Sequence, residues 1–142
     1  MTGSDIVFLD TSPIIYLIEN NRTYCQSVSS LMAKMVRQNA GFVTNVISVA
    51  EFGVKPKRIN NLEMIDELDE LITVFEIHVR EITRSIADLS STIRAKYPSI
   101  KNFDALQIAA AIDANCTLFL TNDKKLKTVT ELNVSIVEEL AK

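Results

Sequence analysis

The stretch Ile6-Val7-Phe8-Leu9-Asp10-Thr11-Ser12-Pro13 constrains the fold of this chain more than any other. Four consecutive apolar residues predict a strand buried on both faces, as in a parallel sheet. The apolar run then stops at a carboxylate. Ser12 before Pro13 reads as a helix start, because a serine oxygen caps free backbone N–H groups and proline suits the first turn. Asp10 is therefore placed where a buried strand hands over to a helix. In an open α/β sheet that is the carboxyl edge of the strands, where ligands bind.

The rest of the chain repeats this alternation. Ile14, Ile15, Leu17 and Ile18 continue the first helix to a stop at Asn20-Asn21. A second helix is predicted over 24–38, where Val28, Leu31, Met32, Met35 and Val36 fall at three-and-four spacing, and Asn39-Ala40-Gly41 ends it. A strand follows near 42–44, then a helix over 46–54 in which Ser48 and Glu51 have capping-box spacing. Lys55-Pro56-Lys57-Arg58 reads as a basic break. The next helix, 61–71, carries Leu62, Ile65, Leu68 and Leu71 on one face and an acidic, solvated surface on the rest. Ile72-Thr73-Val74-Phe75 is rich in β-branched residues and predicts a strand near 72–76. An amphipathic helix over 82–97 ends before Pro98, and a helix over 102–115, apolar on nearly all sides, is predicted to be buried. Strands near 117–120 and 134–137 flank a short helix at 124–128.

Short strands alternating with helices predict an α/β fold, a three-layer α/β/α sandwich around a parallel sheet. The 142 residues make one ordinary domain, 1–142, without repeat or linker, and 47% apolar residues suffice for a core. No apolar run is long enough to cross a bilayer. Met1-Thr2-Gly3-Ser4-Asp5 has neither the basic lead nor the cleavage pattern of a secretion signal. Cys25 and Cys116 have no zinc or disulfide spacing, which points to a reducing, cytoplasmic compartment. A net charge of −3 argues against coating nucleic acid by bulk electrostatics but leaves room for a small nucleic-acid site. With one histidine, His78, a nuclease built on two catalytic histidines is excluded.

Three later carboxylates are predicted to return to the edge held by Asp10. Taken singly, each has a structural use. Glu51 can close a capping box on Ser48, Asp104 can complement the dipole of its helix, and Asp123 can cap the helix starting at Lys124. Asp10 is spare, because Ser12 already caps. Taken together, Asp10 and Asp123 follow strands while Glu51 and Asp104 lie in first turns of helices, and in a parallel sheet those places share one edge. Clustered carboxylates repel and are driven to protonate unless a cation neutralises them. Oxygen ligands without His or Cys suit Mg²⁺ or Mn²⁺ rather than zinc, and such ions can hold a phosphodiester and activate water.

Leu9-Asp10-Thr11-Ser12, Ala50-Glu51-Phe52, Phe103-Asp104-Ala105-Leu106-Gln107-Ile108-Ala109-Ala110-Ala111 and Leu120-Thr121-Asn122-Asp123 together resemble the successive acidic motifs of PIN-domain ribonucleases. The small single-domain form is similar to VapC-type toxins of prokaryotic toxin–antitoxin pairs. The resemblance spans almost the whole chain and lies in the order and spacing of the motifs. It implies strand order 3-2-1-4-5, metal-dependent endonuclease activity on RNA with Mg²⁺ or Mn²⁺, a cognate antitoxin, and homodimers. It assigns Asp10, Glu51, Asp104 and Asp123 as metal-binding and catalytic positions, with Thr11 and Thr121 in support. Where some members carry a further acid or aromatic after the last aspartate, this chain has Lys124-Lys125-Leu126. Apolar residues of the first helices, such as Tyr16, Leu17 and Met32, are candidates for self-association. Lys57, Arg58, Lys124, Lys125 and Lys127 are candidate RNA contacts, with surface solubility as the competing role. An antitoxin is expected to place a cationic side chain over the acids.

Two other readings compete. A PIN-like fold can keep the acids as caps and serve as an inactive RNA- or protein-binding module; metal binding and an RNA cleavage assay separate the two. A phosphotransfer α/β protein is the second. A haloacid-dehalogenase-type phosphatase needs Asp-x-Asp, and Ser12 replaces the second acid. A receiver domain needs adjacent early acids, which Asp10 lacks. With 3 Gly in the chain there is no glycine-rich phosphate loop.

Overall fold

The computed structural model describes residues 4–140. Most of the N-terminal tip read for an export signal lies outside them. The apolar run at the start of the chain forms β1 (Ile6–Leu9), the middle of a five-stranded sheet. The other strands are β2 (Gly41–Asn45), β3 (His78–Arg80), β4 (Leu118–Thr121) and β5 (Val134–Ile136). Their order is β3-β2-β1-β4-β5 and every pairing is parallel. The helices are α1 (Thr11–Ile18), α2 (Cys25–Arg37), α3 (Val46–Arg58), α4 (Glu63–Val74), α5 (Arg84–Lys96), α6 (Asn102–Asp113) and α7 (Val137–Leu140), with a 3₁₀ turn at Lys124–Thr128.

Alternation along β1 divides the core in two. Val7 and Leu9 face one layer with Ile14, Val28, Met32, Phe52 and Leu68; Phe8 faces the other with Ile86, Ile93, Ile108 and Phe119. Phe8 and Phe119 lie opposite one another in register and stack at 5.1 Å between ring centroids. The small side chains Ala105, Ala109, Ala110 and Ala111 let α6 seat closely, and all four are fully buried. This is the expected three-layer sandwich. No helix of the described residues is long and apolar enough to cross a membrane.

The structure corrects several local expectations. Residues 72–75 do not form a strand: α4 continues to Val74, with Phe75 as its C-cap. Leu68, Leu71, Ile72 and Phe75 keep helical spacing against the core, and that packing overrides β-propensity. The third strand lies further on, at His78–Arg80, a short edge with half-exposed side chains and no apolar run to announce it. Pro56 does not break α3, which runs through it to Arg58. Ser48 and Glu51 form no capping box, because Asn45 caps α3 by accepting from Ile47 N–H at 2.9 Å. Asp10, not Ser12, caps α1. Met32 is buried in the core, while Tyr16 and Leu17 are partly buried against it.

Helix ends use asparagine where many chains use glycine. Asn20, Asn39, Asn60 and Asn115 adopt positive φ of 52–59°, and Glu76 does so at 51°. In each case the next residue's N–H reaches back five residues, for example Asn61 to Pro56 C=O at 2.8 Å and Ile77 to Ile72 C=O at 2.9 Å. These bonds satisfy helix carbonyls that would otherwise be orphaned. Sharp stops return the chain to the sheet and keep strand ends and helix starts on one edge.

Candidate active site

At that edge a cavity of about 700 Å³ is lined by Asp10, Thr11, Glu51, Asp104, Thr121 and Asp123, together with Tyr16, Asn122, Lys124 and Lys125. The four acids predicted from sequence therefore line one cavity, each from a different element. Asp10 leaves β1, and its N–H is held by Leu120 C=O at 3.0 Å. Glu51 comes from the second turn of α3, Asp104 from the first turn of α6, and Asp123 from the start of the 3₁₀ turn, where it accepts from Lys125 N–H at 3.1 Å. The expected capping role of Asp123 is thus real and coexists with its place in the cavity.

Asp10 is 8% exposed and the most firmly held of the four. Its Oδ1 accepts from Thr11 N–H at 2.8 Å and from Gln107 Nε2 at 3.4 Å, and its Oδ2 accepts from Thr121 Oγ1 at 2.7 Å. Thr121 Oγ1 in turn accepts from Asp123 N–H at 3.1 Å, so one hydroxyl joins the first acid to the last. Thr11 Oγ1 donates to Glu51 Oε1 at 2.6 Å. Asp104 accepts no hydrogen bond from a described residue.

Beneath the acids lies a buried polar bed that sequence reasoning did not single out. Gln107 Nε2 donates to Ser48 Oγ at 2.8 Å, and Thr44 Oγ1 donates to Leu9 C=O at 2.7 Å. Ser48 Oγ lies 2.9 Å from Thr44 Oγ1 and 3.2 Å from Thr11 Oγ1, so its own proton serves one of these two. Gln107 Oε1 and Asn45 Nδ2 are buried without a partner. The available signal was a glutamine inside an otherwise apolar helix, three residues after Asp104 and hence on the same side. At the rim, Asn122 Nδ2 donates to Tyr16 Oη at 3.0 Å, and Asn122 Oδ1 accepts from Glu138 N–H at 2.9 Å.

The electrostatics are those of crowded anions. Burial pushes the Asp10 carboxyl up, opposed by its hydrogen bonds to Thr121, Thr11 and Gln107 and reinforced by the charge of Glu51. Burial pushes Asp104 up to about 6, reinforced by Asp10, Asp123 and Glu51, and Lys101 only partly opposes this. No lysine or arginine of the described residues forms an ion pair with any of the four. Lys124, at the rim, is engaged by Glu138 at 2.6 Å. An all-oxygen donor set that raises its own proton affinity fits a hard divalent cation. The carboxylates line the walls rather than touch: among the described residues no three Asp, Glu, His or Cys side chains form a ready-made metal nest.

Of the five candidate RNA contacts, Lys124 and Lys125 line the cavity, whereas Lys57, Arg58 and Lys127 do not. Lys127 is paired with Glu139 at 2.5 Å. Lys57 and Arg58 stand in the last turn of α3, beyond Glu51.

Comparisons with known proteins agree with this architecture. The family model described as PIN domain matches residues 7–132. No curated protein matches the chain. Among solved structures, VapBC2 from Rickettsia felis, bound to a DNA fragment from its promoter, is similar with a TM-score of 0.74 and 20% identity, over 92% of this chain and 98% of that one. VapBC-1 from nontypeable Haemophilus influenzae aligns with a TM-score of 0.71 and 22% identity, over 93% and 98% of the two chains. A toxin–antitoxin complex from Klebsiella pneumoniae gives 0.65 and 19%, over 92% and 97%. At these identities the likeness is one of fold.

Proposed function

This chain belongs to the PIN-domain family, and from that premise we propose that it is a divalent-metal-dependent endoribonuclease, the toxin of a type II toxin–antitoxin pair. The observation that carries the reading is that Asp10, Glu51, Asp104 and Asp123 line one cavity and none of them forms an ion pair with a lysine or arginine of the described residues. The roles differ with the surroundings. Asp10 is the fixed anchor, oriented by Thr11, Thr121 and Gln107. Thr11 also orients Glu51. Asp104 keeps both oxygens open to a ligand, and Asp123 closes the far wall.

These four residues would hold Mg²⁺ or Mn²⁺, which when bound supplies charge for the phosphodiester and a water of lowered pKa. The protein's part is to hold the anions at fixed positions, and the buried bed of Thr44, Ser48 and Gln107 serves that end. Lys124 and Lys125 at the rim receive RNA phosphates. The neighbours' assembly with partners supports a cognate antitoxin here, one that sets a cationic side chain over the acids. Self-association as a homodimer rests on family membership and on Tyr16 and Leu17, which are only partly buried, since Met32 is taken up by the core. The free cysteines are consistent with work in the cytoplasm.

Incubation with total RNA, with and without Mn²⁺, followed by mapping of cut ends, tests the proposal. Defined cuts that require the metal are expected; intact RNA under both conditions refutes it. One observation favours the inactive-module reading instead, namely that Asp10 and Asp123 each cap the helical segment that follows. That reading predicts no metal-dependent cutting.

A further inference from the structure

A second cavity of about 620 Å³ adjoins the first, and Glu51 and Asp104 line both. Its remaining walls differ in character. They include Arg94, Ser99, Lys101 and Phe103. We propose that this second cavity is a subsite for one unpaired nucleotide flanking the cleaved bond, with Phe103 as the platform on which its base stacks and Arg94 and Lys101 as the partners of its phosphate. The inference rests on the ribonuclease reading above.

Three observations carry it. Phe103 is 55% exposed, the one aromatic among the exposed large apolar side chains of the described residues. A phenyl ring left largely in water gains little from folding and keeps apolar area that a base can cover, since every base has a π face. Arg94 and Lys101 are exposed and form no ion pair with a described residue, in contrast to Lys96 beside them, which meets Glu131 at 3.4 Å. The wall that carries them is also fixed. Ile100 is buried, its N–H meets Tyr97 C=O at 3.0 Å, and Tyr97 Oη donates to Glu131 Oε1 at 2.5 Å. The joined cavities thus place Asp10 and Asp123 only in the first and Arg94 and Lys101 only in the second. A nucleic-acid strand suits that polarity, because its phosphates are repelled by the bare acids and drawn to the cations. A duplex keeps its bases stacked on one another and cannot offer a face to Phe103, so the occupant is single-stranded.

The test is binding of a fluorescein-labelled single-stranded RNA 8-mer to the purified protein in EDTA, read by anisotropy, with a hairpin duplex as control. Phe103→Ala is expected to weaken single-strand binding by roughly fivefold to a hundredfold, the range of one lost base stack. Phe103→Trp is expected to restore it, and duplex binding is expected not to change. The double variant Arg94→Ala/Lys101→Ala is expected to lower the salt dependence of binding, which Phe103→Ala leaves alone. Wild-type affinity in Phe103→Ala, or an equal loss for the duplex, overturns the subsite; so does a loss confined to binding of a protein partner. The outcome is separable from the ribonuclease reading. Wild-type protein that cuts RNA with Mn²⁺ while Phe103→Ala binds normally sinks the subsite alone. Phe103-dependent binding by a protein that never cuts sinks ribonuclease activity alone.

Discussion

Asp10 carries two roles that a pair of substitutions can separate. Asp10→Asn and Asp10→Ala both remove the charge, so their difference in stability isolates the hydrogen bonds. Asparagine caps helices about as well as aspartate, and its Oδ1 can still accept from Thr11 N–H and Gln107 Nε2. Its Nδ2 meets Thr121 Oγ1, which already accepts from Asp123 N–H, so the Thr121 proton is left idle. That costs about 1 kcal/mol. Against it stands the removal of a buried charge whose carboxyl is pushed up by burial. Asp10→Asn is therefore expected to match or exceed wild-type stability at pH 7 when divalent metal is chelated. Alanine gives up the cap, about 1 kcal/mol, and abandons the buried donors of Thr121 and Gln107 at about 1 kcal/mol or more each. Because the Thr121 proton is idle in both, the variants should differ by the cap and the Gln107 donor, about 2 kcal/mol. With a urea dependence near 2 kcal/mol per molar, that is roughly 1 M in midpoint. In the cleavage assay both should fall at least a hundredfold, about 3 kcal/mol in transition-state stabilisation. Equal urea midpoints for the two variants would refute the hydrogen-bond reasoning. Wild-type cutting by a folded Asp10→Asn would refute the catalytic role.

Other consequences are open to measurement. Because Asp104 titrates near 6 in the folded chain and its ordinary value is 3.8, the folded state binds this proton more tightly than the unfolded. Stability in EDTA should therefore rise as pH falls from 7 towards 5, by on the order of 1 kcal/mol after solvent screening; thermal melts of Asp104→Asn should lose that slope. Glu76→Gly should stabilise the protein by about 1 kcal/mol, since glycine adopts the positive φ that glutamate holds at a cost; an unchanged or lower melting temperature counts against it. Gln107→Leu should lose about 1–3 kcal/mol and reduce cleavage while leaving RNA binding in EDTA intact, because it leaves Ser48 and Asp10 less well held; calorimetry and anisotropy on one preparation decide this.

What could be read from the sequence was whatever local chemistry determines. The run Ile6–Leu9 announced the central strand, and turn chemistry at Asn39 announced a helix stop. The four acids were visible because each follows a strand or opens a helix on the same edge. The misses have one physical cause, which is tertiary contact. Residues 72–75 are β-branched yet helical because Leu71 and Ile72 are anchored in the core. Asp10 rather than Ser12 caps α1, because the extended backbone ends at Asp10 and Ser12 already lies inside the helix. The bed below the acids was not legible because its partners lie far apart in sequence, Gln107 being 97 residues from Asp10 and 59 from Ser48. Gln107 stood in a quoted motif, but only the fold shows what it faces.

The position of β1 at the middle of the sheet has a consequence in time. Its two neighbours are β2, which follows soon after, and β4, whose Leu118 pairs with Val7. A ribosome adding residues at roughly ten per second needs about ten seconds between making β1 and making β4. For about five seconds of that interval, between the making of Glu51 and of Asp104, Asp10 and Glu51 exist without the other two acids, and one flank of β1 has no partner until β4 is made. Parallel pairing across so long a loop is slow to form. The nascent chain therefore carries half its acids for seconds without a working site. The cavity closes only when β4 pairs with β1 and sets Asp123 in the same wall as Asp10.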